Sequence, residues 1–218
     1  VPTARAIGEL SHDYIHSADA ARRIAADLPD VRLLATLRHP IDRAFSSYAS
    51  AFSAGVITTS FEQAIEEVPM LVGNSLYADK LDVYYDLFPR ERIKGLFFDD
   101  LENNPRAFAR QAFDHVGLRF VDEIDYGQKM SPLSKSRFPL SGTLSKMGAN
   151  TLRKLGWVNM LGRLKSNKTF RSMFYKEYSA DERPEVAAST RGLLGEKFAP
   201  QIDRLEEMLG RDLSHWRV

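Results

Sequence analysis

Apolar residues recur along the chain as short unbroken runs alternating with helical stripes. Residues 31–37 form a mostly apolar run of seven without an internal breaker, the pattern of a buried strand in a parallel sheet. After Arg38-His39-Pro40, the positions Ile41, Ala44, Phe45, Tyr48, Ala51 and Phe52 make one helical stripe. Pro40 falls at the helix start, where its missing N–H costs nothing. Upstream, residues 5–9 read as a short strand. Ser17 reads as the N-cap of a helix carrying Ala21, Ile24, Ala25 and Leu28, which Pro29-Asp30 ends. Asn74 or Ser75 is expected to cap a helix with Tyr77, Leu81, Tyr84, Tyr85 and Phe88, stopped by Pro89. Residues 92–98 read as a further strand. Asn104-Pro105 opens a helix with Phe108, Ala112 and Val116, closed by Gly117. Strand signals fade after Asp125. The tail is helical, from residues 184–198 through Ile202, Leu205 and Leu209 to Gly210. This alternation predicts an α/β fold with a parallel sheet and a helical C-terminal part. Residues 126–141, rich in Ser, Pro and Lys, are expected to be a mobile loop.

Composition narrows the class. With 218 residues, 44% hydrophobic and 27% charged, the chain is globular rather than disordered, collagen-like or coiled-coil, and one domain is expected over residues 1–218. No apolar run approaches the roughly 18 residues of a membrane span. The chain has no cysteine, which excludes disulfides and thiolate chemistry and fits a reducing, cytoplasmic location. The net charge of +1 hides an asymmetry. Between Tyr126 and Lys176 there is no acidic residue, and that stretch holds 11 of the 30 basic ones, leaving 19 basic against 29 acidic residues elsewhere. Such a block points to an anionic ligand or partner nearby, for example an acidic carrier protein or an anionic glycan. Equally, it describes a solvated basic face packing on an acidic body. Nucleic acid is not expected, because the block lacks a base-reading motif and its aromatics have no strand platform.

Chemistry concentrates after the first buried strand. In parallel α/β sheets ligands bind at the carboxyl ends of strands. The strand ending at Leu37 delivers Arg38 to that edge, beside the N-terminus of the next helix, an arrangement suited to an anion. The Arg fork matches phosphate, and Ser46 on the face opposite the apolar stripe offers a hydroxyl to the same anion. The alternative is that Arg38 pairs with a carboxylate and Ser46 faces solvent. No His, Asp or Glu group has metal-ligand spacing, so no metal is expected.

The run from Leu34 to Tyr48 (LATLRHPIDRAFSSY) resembles the 3'-phosphate-binding segment of sulfotransferases, an apolar strand followed by Arg-x-Pro-x-x-Arg-x-x-Ser-x-Tyr. Gly8-Glu9-Leu10-Ser11-His12-Asp13-Tyr14 is similar to the Gly-Glu-x-Ser-Pro-x-Tyr of bacterial and heparan-type members. Gly73-Asn74-Ser75-Leu76-Tyr77-Ala78-Asp79-Lys80-Leu81 and Phe98-Asp99-Asp100-Leu101 through Pro105 resemble two further family stretches, and Leu209 through Trp216 looks like the usual ending. The resemblance implies a three-layer α/β/α fold of the P-loop NTPase-like sulfotransferase type. It implies sulfuryl transfer from 3'-phosphoadenosine 5'-phosphosulfate to a hydroxyl, or an amine, of a carbohydrate, lipid or polyketide-type acceptor. That acceptor is a small molecule, a glycan or carrier-bound. Arg38 and Ser46 would hold the donor's 3'-phosphate, and Lys135 and Arg137 are candidates for the family's basic loop over the nucleotide. Glu9 and His12 are the candidate bases, although His12 replaces the usual Pro. The family's loop for the 5'-phosphosulfate, with its Lys and Gly-Thr/Ser pair, is not found before Val31. The expectation is therefore an N-terminally incomplete domain belonging to a longer native chain. A noncatalytic nucleotide- or polyanion-binding module on the same fold is the alternative. A kinase on this fold would need a Gly-rich loop ending in Lys-Ser/Thr and acidic metal ligands, and neither is seen.

Overall fold

The computed structural model describes residues 6–127 and 185–217, together with the backbone of residues 134–136 and 175–177. Branched and aromatic residues build two parallel strands, β1 (Leu33–Leu37) and β2 (Ile93–Phe97), in register from Leu33 opposite Ile93 to Leu37 opposite Phe97. Both strands therefore end at one edge, with Arg38 and Phe98 side by side.

The helices start where local capping allows. In α1 (Ala18–Asp27) the Ser17 hydroxyl accepts the N–H of Ala20 at 3.1 Å. The helix α2 (Pro40–Ser53) begins at its proline, as expected. Two short helices that the periodicity did not reveal follow, α3 (Phe61–Glu67) and α4 (Met70–Gly73). Next, α5 (Tyr77–Leu87) starts after Leu76, and neither Asn74 nor Ser75 caps it. Its first amide groups are met from 123 and 122 residues away, as described below. A short α6 (Phe98–Asn103) begins directly at the end of β2. In α7 (Pro105–Val116) the Asn104 side chain accepts the N–H of Ala107 at 3.0 Å, and Gly117 closes the helix with a positive φ of 72°. The tail forms α8 (Ala188–Leu209), which Gly210 ends, also at positive φ.

Residues 6–10 adopt no regular structure, so the strand expected over 5–9 is absent from its described part. Five residues with no partner strand beside them among the described residues cannot satisfy a ladder. The loop expected over 126–141 lies largely outside the described residues. Within it, however, β3 (Ser134–Ser136) pairs antiparallel with β4 (Tyr175–Glu177), setting Lys135 opposite Lys176. No periodicity could announce three-residue strands of this composition.

The chain forms two compact units. The first comprises Val1–Arg43, Val72–Gln128 and Ser189–Val218. One core cluster in it joins Ala21 of α1 to Tyr84, Phe88 and Ile93, with Ile24, Val31 and Leu33 packed around them. Gly95 of β2 lies close against α8, where a Cβ would stand 3.2 Å from the Leu209 methyls. The second unit comprises Ala44–Leu71 and Lys129–Ala188. There Phe61 stands edge-on to Phe45 at 5.2 Å and lies 5.2 Å from Tyr48, whose hydroxyl donates to the Thr59 carbonyl at 3.0 Å.

Candidate functional site

Arg38 leaves the sheet at the carboxyl end of β1 and is half-buried. Its guanidinium lies 4.7 Å above the centre of the Phe98 ring, a cation–π contact that holds the fork without neutralising it. Among the described residues Arg38 makes no ion pair, so its charge is available to an anion. Close by, the Tyr77 phenol is pushed up by burial, against the charges of Arg43 and Arg38.

The next residue fixes the helix start. His39 Nδ1 accepts the N–H of Ile41 at 3.2 Å, capping the first turn of α2 with an imidazole. That bond requires Nδ1 to be unprotonated. Burial favours this, pushing the His39 imidazole below its ordinary value, with Asp42 opposing and Arg191 assisting. Asp42 in the same turn pairs with Arg191 of α8 at 3.3 Å.

Beside Arg38 and Tyr77 lies a second group of basic residues, Lys80 and Arg43 with a neutral His16. His16, in the turn Tyr14–His16, is pushed down to about 4, first by burial and then by Lys80 and Arg43. Burial also lowers Lys80 and Arg43, with Arg43 adding to the effect on Lys80. The turn is held on α5 by the Tyr84 hydroxyl, which donates to the Tyr14 carbonyl at 2.6 Å. Lys80 is one helical turn before Tyr84 and three residues after Tyr77, so all three share a face of α5. His16 Nδ1 is buried and has no hydrogen-bond partner among the described residues. The Tyr77, Lys80 and Tyr84 spacing was visible in the sequence, but the meeting of Lys80 with His16 was not.

The start of α5 is completed by α8. Gln201 Oε1 accepts the N–H groups of Ala78 at 3.1 Å and Asp79 at 3.4 Å, doing remotely what Leu76 cannot do locally. The same amide and Arg204 hold the Asp79 carboxyl below its ordinary range.

The other candidates stand apart from this arrangement. Ser46 lies half-buried on α2, in the second unit. Glu9 is exposed in an irregular segment and accepts the Tyr14 hydroxyl at 2.6 Å, which raises the Tyr14 phenol. His12 is exposed in the same segment. Neither sits at a strand end, because the strand expected there does not form. Lys135 falls on β3, of which only the backbone is described, and Arg137 lies outside the described residues. Among the described residues no helix is long and apolar enough to cross a membrane.

The chain is 28% identical over 121 residues to the human heparan sulfate glucosamine 3-O-sulfotransferase 6, covering 52% of this chain and 35% of that protein. The mouse protein of the same name is 27% identical over the same length. The chain thus spans about a third of the length of the curated relatives it matches. Its structure resembles that of a sulfotransferase from Alicyclobacillus acidocaldarius with a TM-score of 0.65 and 25% identity, covering 98% of this chain and 68% of the other. The model of the sulfotransferase family matches residues 11–122, just over half of the sequence, and on these grounds the chain, with its α/β fold, belongs to the sulfotransferase family.

Proposed function

We propose that this chain carries the 3'-phosphate half of the donor site of a sulfotransferase that uses 3'-phosphoadenosine 5'-phosphosulfate. The observation that carries the reading is Arg38, a strand-end guanidinium without a carboxylate partner among the described residues, steadied over Phe98 beside the capped start of α2. A dianionic phosphate suits that fork, and the first-turn dipole of α2 adds to the attraction. Ser46 is the hydroxyl we assign to the same phosphate, on the strength of the family segment rather than of a contact. Lys135 and Arg137 are assigned to the covering loop on the same ground. The donor supplies the sulfuryl group. The chain's part is to hold the nucleotide and to place positive charge where the leaving phosphate develops its own.

The acceptor we favour is a hydroxyl of a glycan, because the curated relatives are named for sulfation of heparan sulfate glucosamine. A lipid or polyketide-type hydroxyl, or an amine, is the wider class. Glu9 and His12 remain the candidates for proton removal from that hydroxyl. Of the two, Glu9 has a neighbour that orients it, Tyr14.

Calorimetric titration with adenosine 3',5'-bisphosphate tests the reading. Replacing Arg38 with Ala in the full-length protein should weaken binding by about 1.5–3 kcal/mol, the usual worth of hydrogen bonds to a charged group. That loss is roughly 10- to 150-fold in affinity. Unchanged affinity would remove Arg38 from the site. Binding without turnover on any acceptor would favour the noncatalytic module.

A further inference from the structure

The turn Ser214–Trp216 packs against the residue that follows Arg38. Trp216 is buried at 1% exposure, and its ring lies 6.0 Å from that of His39 and 5.7 Å from that of Phe97. Its indole N–H donates to Asp99 Oδ2 at 2.6 Å. The same carboxylate oxygen meets His215 Nε2 at 2.9 Å. His39 therefore presents one ring nitrogen to the helix it caps, while the Trp216 ring packs beside its imidazole.

The clasp is itself anchored. Glu206 Oε1 accepts the N–H of Leu213 at 2.6 Å, and Arg217 reaches Asp203 at 2.7 Å and also Glu206. Next to Asp99, Asp100 takes both arms of Arg211 at 2.5 and 2.7 Å. The Arg211 guanidinium covers the Phe97 ring at 4.2 Å. Three successive residues at the end of β2 thus divide the work. Phe98 lies under the Arg38 guanidinium, while Asp99 and Asp100 tie down the C-terminal segment.

We infer that the C-terminal turn Ser214–Trp216, held by Asp99, is the positioning element of the phosphate cradle. It fixes the His39 ring, and through that ring the first turn of α2 and the aim of Arg38. The inference rests on the donor-site reading above. None of these residues touches the anion; they act through Arg38 and the α2 start. Fork-shaped recognition is lost through small misplacements, so a loosened clasp should be felt as a loss of phosphate discrimination.

The test compares two nucleotides on the full-length protein: adenosine 3',5'-bisphosphate and adenosine 5'-phosphate, which lacks the group at issue. Trp216→Phe keeps a ring but deletes the indole N–H. His39→Ala deletes the cap, and His39→Asn returns a short side-chain acceptor to the N-cap position. Trp216→Phe and His39→Ala should each cut the preference for the bisphosphate at least threefold, with affinity for the 5'-phosphate held within twofold. His39→Asn returns the cap without the ring that Trp216 packs on, so the preference should stay at least twofold below that of the parent, and full recovery would overturn the clasp. An unchanged preference in either folded variant would overturn the clasp. So would an equal loss for both nucleotides, which marks general damage. If the unaltered protein shows no preference for the bisphosphate, the donor-site reading itself fails and the clasp falls with it. The two failures are therefore told apart by the parent protein alone.

Discussion

Two segments were marked by the sequence as places for chemistry, and the structure treats them very differently. The turn from Arg38 to Arg43 is braced from three directions: Phe98 under the guanidinium, Trp216 behind His39, and Arg191 on Asp42. The segment from Glu9 to His12 is exposed and irregular, and the contact that Glu9 makes is with a tyrosine five residues away. A phosphate cradle needs its donors aimed before the ligand arrives, and bracing supplies that. A carboxylate tied to a surface phenol by one hydrogen bond has no such preparation, and its geometry for a proton transfer must come from elsewhere. The difference teaches that the proposed anion site in this chain is built by long-range contacts, and that the segment of the candidate base is not.

The contrast can be broken hardest at the support of the braced segment. Gln201→Ala removes the acceptor of two N–H groups at the start of α5, the helix whose Tyr77 lies within the electrostatic reach of Arg38. Loss of a helix cap of this kind should cost about 1–2 kcal/mol of stability, read as a lower urea midpoint at unchanged slope. The Ala78 amide is buried, so the upper part of that range is expected.

A smaller effect should come with pH. His16 is held neutral in the folded protein, at about 4 against an ordinary value of 6.5. Unfolding lets it bind a proton, so stability falls as pH drops from 6.5 towards 4 and is constant on either side of that window for this group. His16 is partly solvated, and screening reduces the effect to the order of 1 kcal/mol. Chemical denaturation at pH 7 and pH 5 checks this: His16→Gln should flatten the difference between them by that amount, and an unchanged difference would mean that His16 does not carry it.

The smallest effect is expected in the exposed segment. Tyr14→Phe deletes the donor to Glu9 and should change stability by under about 0.5 kcal/mol, as is usual for exposed positions. If Glu9 serves as the base, the same change should lower kcat and leave nucleotide affinity untouched. A large fall in the melting temperature would show that the segment is braced after all.

Much of this was legible because the signals were local. Ser17, Pro40, Asn104 and Gly117 start or stop their helices through neighbours within a few residues, and the two buried strands announce themselves as apolar runs. Arg38 was legible because a strand end followed by a helix start is a local pattern too. What escaped notice spans the chain. Gln201 caps a helix about 120 residues earlier, and Asp99 binds Trp216 across a separation of 117. Neither pairing has a sequence period. The short α6 hid inside the end of β2, whose aromatic residues continue the strand's apolar run. The strand expected at residues 5–9 failed for the converse reason, since alternation alone supplies no partner for its ladder.

The most direct measurement is calorimetric titration of the full-length protein with adenosine 3',5'-bisphosphate and with adenosine 5'-phosphate, in the same buffer and salt. A cradle centred on Arg38 predicts at least tenfold tighter binding of the bisphosphate, a preference that Arg38→Ala abolishes. Equal affinity for the two nucleotides, or a preference that survives Arg38→Ala, would contradict the assignment of the strand-end arginine to the 3'-phosphate.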